Sequence, residues 1–306
     1  MNLLIIHLFN KEGGDSMEKV AKNEELGNQV PILPFQNERK GTPRRRKWLQ
    51  PQESIPHTLY IWVSISSIVI LFVIWSLLTY TGIVDPLFLP TPTQIIQSGI
   101  TLFTEFGFIN DIGITIYRVL AGFLIAVIIG LPLGILMGTF KVVEAFFEPV
   151  ISSVRYMPAS AFIPLFILWI GVGEMEKITI IFVGTFFSLV LMTAVEVSNV
   201  RRELLEAAYT LGTSTFGVLR SVILPAAIPG IMETIRLILG WAWSYIIVAE
   251  LVASASGIGS LILESQRMLK TGNIIFGILT IGALGLLSDL ILKVSIRKLF
   301  PWNYGR

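Results

Sequence analysis

Long apolar runs dominate the chain from residue 59 onward, with short polar stretches between them. A hydrocarbon core ~30 Å thick is crossed by ~20 apolar residues in helical form. By that measure spans are predicted at 59–81, 113–138, 158–173, 178–197, 228–250 and 274–296. The third is short and holds Pro158 and Pro164, which predicts a tilted or broken helix. The tight link of residues 173–176 makes the third and fourth spans a hairpin. Residues 1–58 differ: they mix Lys, Glu, Asn and Gln with prolines at 31, 34, 43, 51 and 56. Such a segment cannot bury enough surface to offset its ordering entropy, so a polar, partly disordered tail is expected there. The pattern therefore reads as all-α: a tail, then a polytopic membrane domain of six transmembrane helices over 59–302.

Composition agrees with the pattern. Of 306 residues, 53% are hydrophobic and 14% charged, and the mean hydropathy is +0.74. Soluble domains run near ~25% charged, so a soluble enzyme is excluded as a reading. There is no cysteine, hence no disulfide or thiolate metal site. No G-x-x-x-x-G-K-[ST] phosphate loop occurs, so ATP and its magnesium, if used, belong to another chain. Neither a metal nor another cofactor is expected on this one, and a pI of 8.8 is too weak to argue for nucleic acid. The apolar run 3–9 lacks a basic flank and a cleavage site and is not read as a signal peptide. Met17 is an alternative start of translation.

The charges that remain orient the spans. The tail carries 9 basic and 7 acidic residues, the other 248 carry 14 of each. With the N-terminus inside, inner segments hold 15 Lys and Arg and outer segments hold 3. That bias places both termini in the cytoplasm of a plasma (inner) membrane protein. The basic cluster Arg39, Lys40, Arg44, Arg45, Arg46 and Lys47 reads as part of this topology signal, with contact to anionic lipid the other reading.

The most informative polar stretch is the inner loop at about 199–225. Residues 202–210 have strong helix propensity. Gly212 sits where a helix C-cap requires positive φ, and Thr213 or Ser214 can cap a second helix over 215–224 that ends near Pro225. On residues alone, a partner-docking element and an ordinary amphipathic connector stand equal.

Glu206-Ala207-Ala208, three residues, Gly212, nine residues and Val222-Ile223-Leu224-Pro225 resemble the E-A-A-x3-G-x9-I-x-L-P loop of permease subunits in ATP-binding-cassette importers. Val222 in place of Ile is the one departure. Further segments resemble the permeases for nitrate, taurine, other sulfonates and bicarbonate: residues 118–123, 163–174, Ala249-Glu250-Leu251, Gly257-Ile258-Gly259 and Pro301-Trp302. The resemblance covers roughly residues 85–302. It implies type I importer architecture and a second permease subunit, expected to be a second copy of this chain. It also implies two cytoplasmic ATPase subunits and an extracellular or periplasmic substrate-binding protein. Glu206, Ala207, Ala208, Gly212, Leu224 and Pro225 would then form the ATPase-coupling element.

Ionisable groups at membrane depth cost ~2.5–3.5 kcal/mol each on insertion scales, which makes them functional candidates. Arg118, Glu233, Arg236, Trp243 and Glu250 are the candidates for a substrate path. Arg118 either draws anions inward or snorkels to headgroups. Glu233 and Arg236, three apart, either pair with each other or leave the arginine for a nitrate, sulfonate or bicarbonate oxygen pair. Glu250 also reads as a brace for the 257–259 turn, and Asp289 as pairing with a neighbouring span or reaching the inner interface. Trp241, Trp243 and Tyr245 read as packing or as a gate. Gly130, Pro132 and Gly134 read as a hinge or as close packing against the second subunit.

The expectation is a non-enzymatic permease subunit of an ATP-driven importer for a small anion. An ion-gradient-driven secondary transporter is the alternative; it calls for repeated halves and mid-membrane acids, and no repeat is visible. A membrane-embedded enzyme calls for a His, Asp or Cys cluster at one face, and the two histidines, His7 and His57, both lie outside the spans.

Overall fold

Apolar runs broken by glycine, proline and capping hydroxyls produce a chain of helices, with no strand among the described residues. The structure is a computed structural model describing residues 56–304, so the tail through residue 55, with its basic cluster, lies outside the described residues. The long helices are α1 (His57–Tyr80), α3 (Phe108–Thr139), α6 (Glu174–Ser198), α9 (Leu224–Ala253) and α11 (Thr271–Leu299). Between them lie α2 (Pro92–Glu105), α4 (Lys141–Arg155), α5 (Ile163–Ile170), α7 (Arg202–Thr210), α8 (Thr215–Val218) and α10 (Ile258–Arg267); α12 (Pro301–Tyr304) closes the chain. The chain divides at Ile65: the described residues before it form only the opening turns of α1, and the rest form the main body.

Among the described residues five helices are long and apolar enough to cross a membrane, and α4 with α5 forms a sixth candidate bent by 85°. The expected third span is thus a broken one. An eight-residue α5 rises only ~12 Å, well short of a bilayer core. The packing of α3 on α6 shows what the bent segment accomplishes. Gly122 lies against Ile178 and Ile181, Gly134 against Val190 and Thr193, and Gly138 against Ala194 and Val197. Residue numbers rise together, so the two helices run parallel. The chain leaves α3 at Thr139 and enters α6 at Glu174, which bonds Arg118. Residues 140–173 must therefore carry it back over about 20 residues of helix length, ~30 Å at 1.5 Å per residue. The bent pair makes the return crossing.

This parallel contact is possible because α3 presents a ladder of small residues, Gly122, Ala126, Gly130, Gly134 and Gly138, every fourth position along one face. A Cβ at Gly134 would come within 2.7 Å of both Thr193 Cβ and Val190 O. The glycines thus pack against α6 of the same chain, a correction to the reading that placed a second subunit there. Helix α3 also continues through Pro132 without a break. Gly134→Ala should lower the melting temperature of the purified protein, at a cost of about 1–3 kcal/mol from overpacking. Gly113→Ala on the same helix, where a Cβ meets nothing within 4 Å, should instead stabilise by about 0.5–1 kcal/mol. Equal shifts for the two variants would contradict the close-approach account.

Helix α9 runs antiparallel to α6, with Tyr245 on Gly184 and Glu196 against Gly230, and antiparallel to α11. Helix α6 is the hub: 44% of its most apolar window is buried, against none of α1 and 11% of α11, which leave their apolar faces outward. The outward faces are what a lipid or subunit surface requires. Helix α2, in a stretch read from the sequence as connecting loop, starts with a reciprocal cap. Gln94 N donates to Thr91 Oγ1 at 3.3 Å and Thr91 N to Gln94 Oε1 at 2.9 Å, with Pro92 in the first turn.

Candidate coupling loop and membrane-depth charge clusters

Three places concentrate chemistry. The first is the loop joining α6 to α9. Helix α7 ends in a two-bond turn: Thr213 N donates to Ala208 O at 3.1 Å and Gly212 N to Tyr209 O at 2.9 Å. This closure requires a left-handed residue, and Gly212 has φ +80°. Ser214 then caps α8, its Oγ accepting from Gly217 N at 3.3 Å. The expected stop at Pro225 does not occur, because helix continues from Thr215 to Val252. Leu219–Ile223 widen into a π-turn, with Leu224 N donating to Leu219 O five residues back. That turn loosens the ladder where the proline ring would otherwise clash with the preceding carbonyl.

Ala208 is buried against Val218, Leu219 and Ile223, which fixes α7 on the base of α9. The other face is open. Glu206 and Ala207 are exposed, as are Leu211 at 85% and Phe216 at 71%, and Pro225; Leu224 is half-buried. The loop thus presents exposed apolar side chains next to its charged ones.

The second place is at the opposite end of α3. Arg118, 1% exposed, donates from Nε and Nη2 to the two Glu174 oxygens at 2.6 Å each. Its Nη1 donates to Glu250 Oε1 at 2.7 Å and to Ser256 O at 2.8 Å. Glu250 is fully buried and also accepts from Thr115 Oγ1 at 2.9 Å and Gly259 N at 2.8 Å. Asp111 accepts from Gly257 N at 2.7 Å. The cluster therefore fastens α3, the start of α6, the end of α9 and the 254–259 turn together. Glu176, read from the sequence as part of a tight link, is instead buried with Lys177 in the first turn of α6, and Lys177 Nζ donates to Gly173 O at 3.0 Å.

The third place lies between α6, α9 and α11, where Glu196, Glu233, Arg236 and Asp289 line a cavity of about 360 Å³. Arg236 pairs with Glu233 at 2.9 Å and with Asp289 through two bonds, Nε–Oδ1 at 2.5 Å and Nη2–Oδ2 at 3.0 Å. Both sequence readings of Glu233 and Asp289 as pairing residues thus meet on one arginine. Trp243 is buried, and its Nε1 donates to Ser288 Oγ at 3.0 Å, joining α9 to α11. Glu174, Thr115, Ser256 and Glu196 were not singled out by sequence pattern; each comes to its cluster through tertiary contact alone. Among the described residues no group of three or more His, Cys, Asp or Glu is arranged to hold a metal.

Comparison with known proteins gives the setting. Residues 130–301 match a family described as the inner membrane component of binding-protein-dependent transport systems. The taurine transport system permease protein of Escherichia coli (strain K12) is 31% identical over 265 residues, 85% of this chain and 94% of the relative. The putative aliphatic sulfonates transport permease protein of Bacillus subtilis (strain 168) is 36% identical over 76% of this chain and 85% of its own. The nitrate import permease of Synechocystis sp. is 28% identical over 73% and 83%. Among solved structures, an inward-facing methionine ABC transporter aligns with a TM-score of 0.56 at 18% identity, covering 62% of this chain and 94% of that one, a likeness of fold.

Proposed function

Because the chain belongs to the family of inner-membrane permease components of binding-protein-dependent transport systems, we propose that it forms half of the pore of an ATP-driven importer for a small anion. It is a multi-pass transport subunit, not an enzyme. The cargo we assign is of the taurine, aliphatic sulfonate, nitrate or bicarbonate type, the first three by analogy with the relatives named above. Two copies of this chain enclose the passage, each docked on a cytoplasmic ATPase subunit that binds ATP and magnesium. An extracellular or periplasmic binding protein delivers cargo to the other side. Both termini are cytoplasmic in this reading.

The observation that carries the coupling step is the loop over 201–225: a rigid helix–turn–helix, pinned by buried Ala208, with Glu206 and apolar side chains outward. Closure of the ATPase pair would draw the two loops together. Rigidity transmits that motion into α9, because helix runs unbroken from the loop to Val252. The test is reconstitution of the permease with its ATPase and binding protein in liposomes. Cargo uptake should require ATP and persist after addition of an uncoupler. Uptake abolished by the uncoupler but indifferent to ATP would sink the proposal in favour of an ion-gradient transporter.

A further inference from the structure

Arg236 and Asp289 hold each other in the geometry that an oxyanion cargo would take. Two parallel N–H···O bonds from Nε and Nη2 are how a guanidinium engages any paired oxygens, whether of a carboxylate, a sulfonate or a nitrate. The remaining nitrogen, Nη1, already donates to Glu233. Every nitrogen of Arg236 therefore carries a carboxylate.

The pair is not packed away. Asp289 is 44% and Arg236 24% exposed, on the wall of the cavity between α6, α9 and α11. It is also deep: Arg236 stands ~18 Å along α9 from Leu224, and Asp289 ~15 Å along α11 from Leu299. Open charges at half the depth of a bilayer face a water-filled passage or a protein partner, not lipid. Beside Asp289, Ser288 accepts from Trp243, so two neighbouring polar ties join the same two helices.

We propose that Asp289 is an internal stand-in for the oxyanion of the cargo. It occupies the fork of Arg236 while the passage is empty, and Asp289 and the cargo's oxygens are mutually exclusive ligands of that arginine. This rests on the reading of the cavity as part of the passage, and it names how that site is regulated. While the two helices stay together, free anions meet an occupied guanidinium flanked by three carboxylates and are repelled. The arginine becomes available when α9 and α11 part, so the state of the two helices decides when an anion is held and when Asp289 takes its place to release it.

Binding of ethanesulfonate, taurine and nitrate to the assembled permease–ATPase complex, without its binding protein, tests the latch. Wild-type protein should bind all three weakly. Asp289→Asn should bind at least one of them tenfold or more tightly, Asp289→Glu should resemble wild type, and Arg236→Gln combined with Asp289→Asn should lose the gain. Binding by Asp289→Asn equal to wild type, in a complex that melts normally, overturns the latch. If Arg236→Gln/Asp289→Asn then still fails in uptake, the passage reading survives without the latch. If the double variant transports at the wild-type rate, the passage reading falls as well.

Discussion

Uptake should fall to background when Gly212 is replaced by proline, while the protein still inserts in the membrane. Proline fixes φ near about −65°, whereas this residue sits at +80° in the turn that closes α7. It would also delete the N–H that Gly212 donates to Tyr209 O. Both changes strike a junction of four residues, 211–214, so α7 loses its direction relative to α8 and the base of α9. The spans themselves lie outside the change, which is why insertion and protein yield should hold. Glu206→Lys tests the same surface without disturbing the fold, since Glu206 is exposed. Reversing one charge of a docking contact sets like charges against each other, which disfavours the docked state and slows productive encounter. Co-purification with the ATPase and ATP-driven uptake should both drop. Normal uptake in either variant would remove the loop from the coupling role.

That loop was the part most legible in the sequence, because its determinants are local. A left-handed cap needs glycine, a helix start favours serine or threonine, and both act within four residues of where they stand. The spans were legible for a similar reason, since length and apolarity are counted along the chain. What was not legible depends on partners distant in sequence. Arg118 finds Glu174 and Glu250 at separations of 56 and 132 residues, and Arg236 finds Asp289 at 53. These long-range partners have no periodic signature; only Glu233, three residues from Arg236, could be read along the chain. Helix α2 also starts on a local cap, the Thr91-to-Gln94 box after Pro90, but at 14 residues it is too short to register as a span. The third span was half seen. Its prolines predicted a break, yet the return crossing became clear only from the parallel packing of α3 on α6, which places the start and end points of the segment.

The largest loss of stability should come from Glu250→Ala. The carboxylate is fully buried and takes hydrogen bonds from Arg118, Thr115 and Gly259 N. Its removal leaves Arg118 buried with Glu174 as the one remaining carboxylate partner, and that partner is half exposed. It also strands the Gly259 N–H in a site closed to water. Breaking a buried ion pair by deleting one member costs about 3–5 kcal/mol, because the surviving charge stays desolvated. Glu250→Gln keeps an acceptor for Gly259 or Thr115 and loses only the charge, so it should fall between alanine and wild type. Arg118→Lys should be nearly as harmful as the alanine change, since one ammonium cannot bridge two carboxylates and the Ser256 carbonyl with a planar fork. Thermal unfolding of the detergent-solubilised protein checks the order, and a Glu250→Ala melting point equal to that of wild type would show that the cluster does not hold these helices together. Removing both charges with Arg118→Met and Glu250→Leu should cost less than either single deletion, because apolar packing can replace a buried pair but not half of one. Such a protein would show whether the cluster serves stability alone. If it folds yet fails to transport, the ties among α3, α6 and α9 are needed for the motion itself.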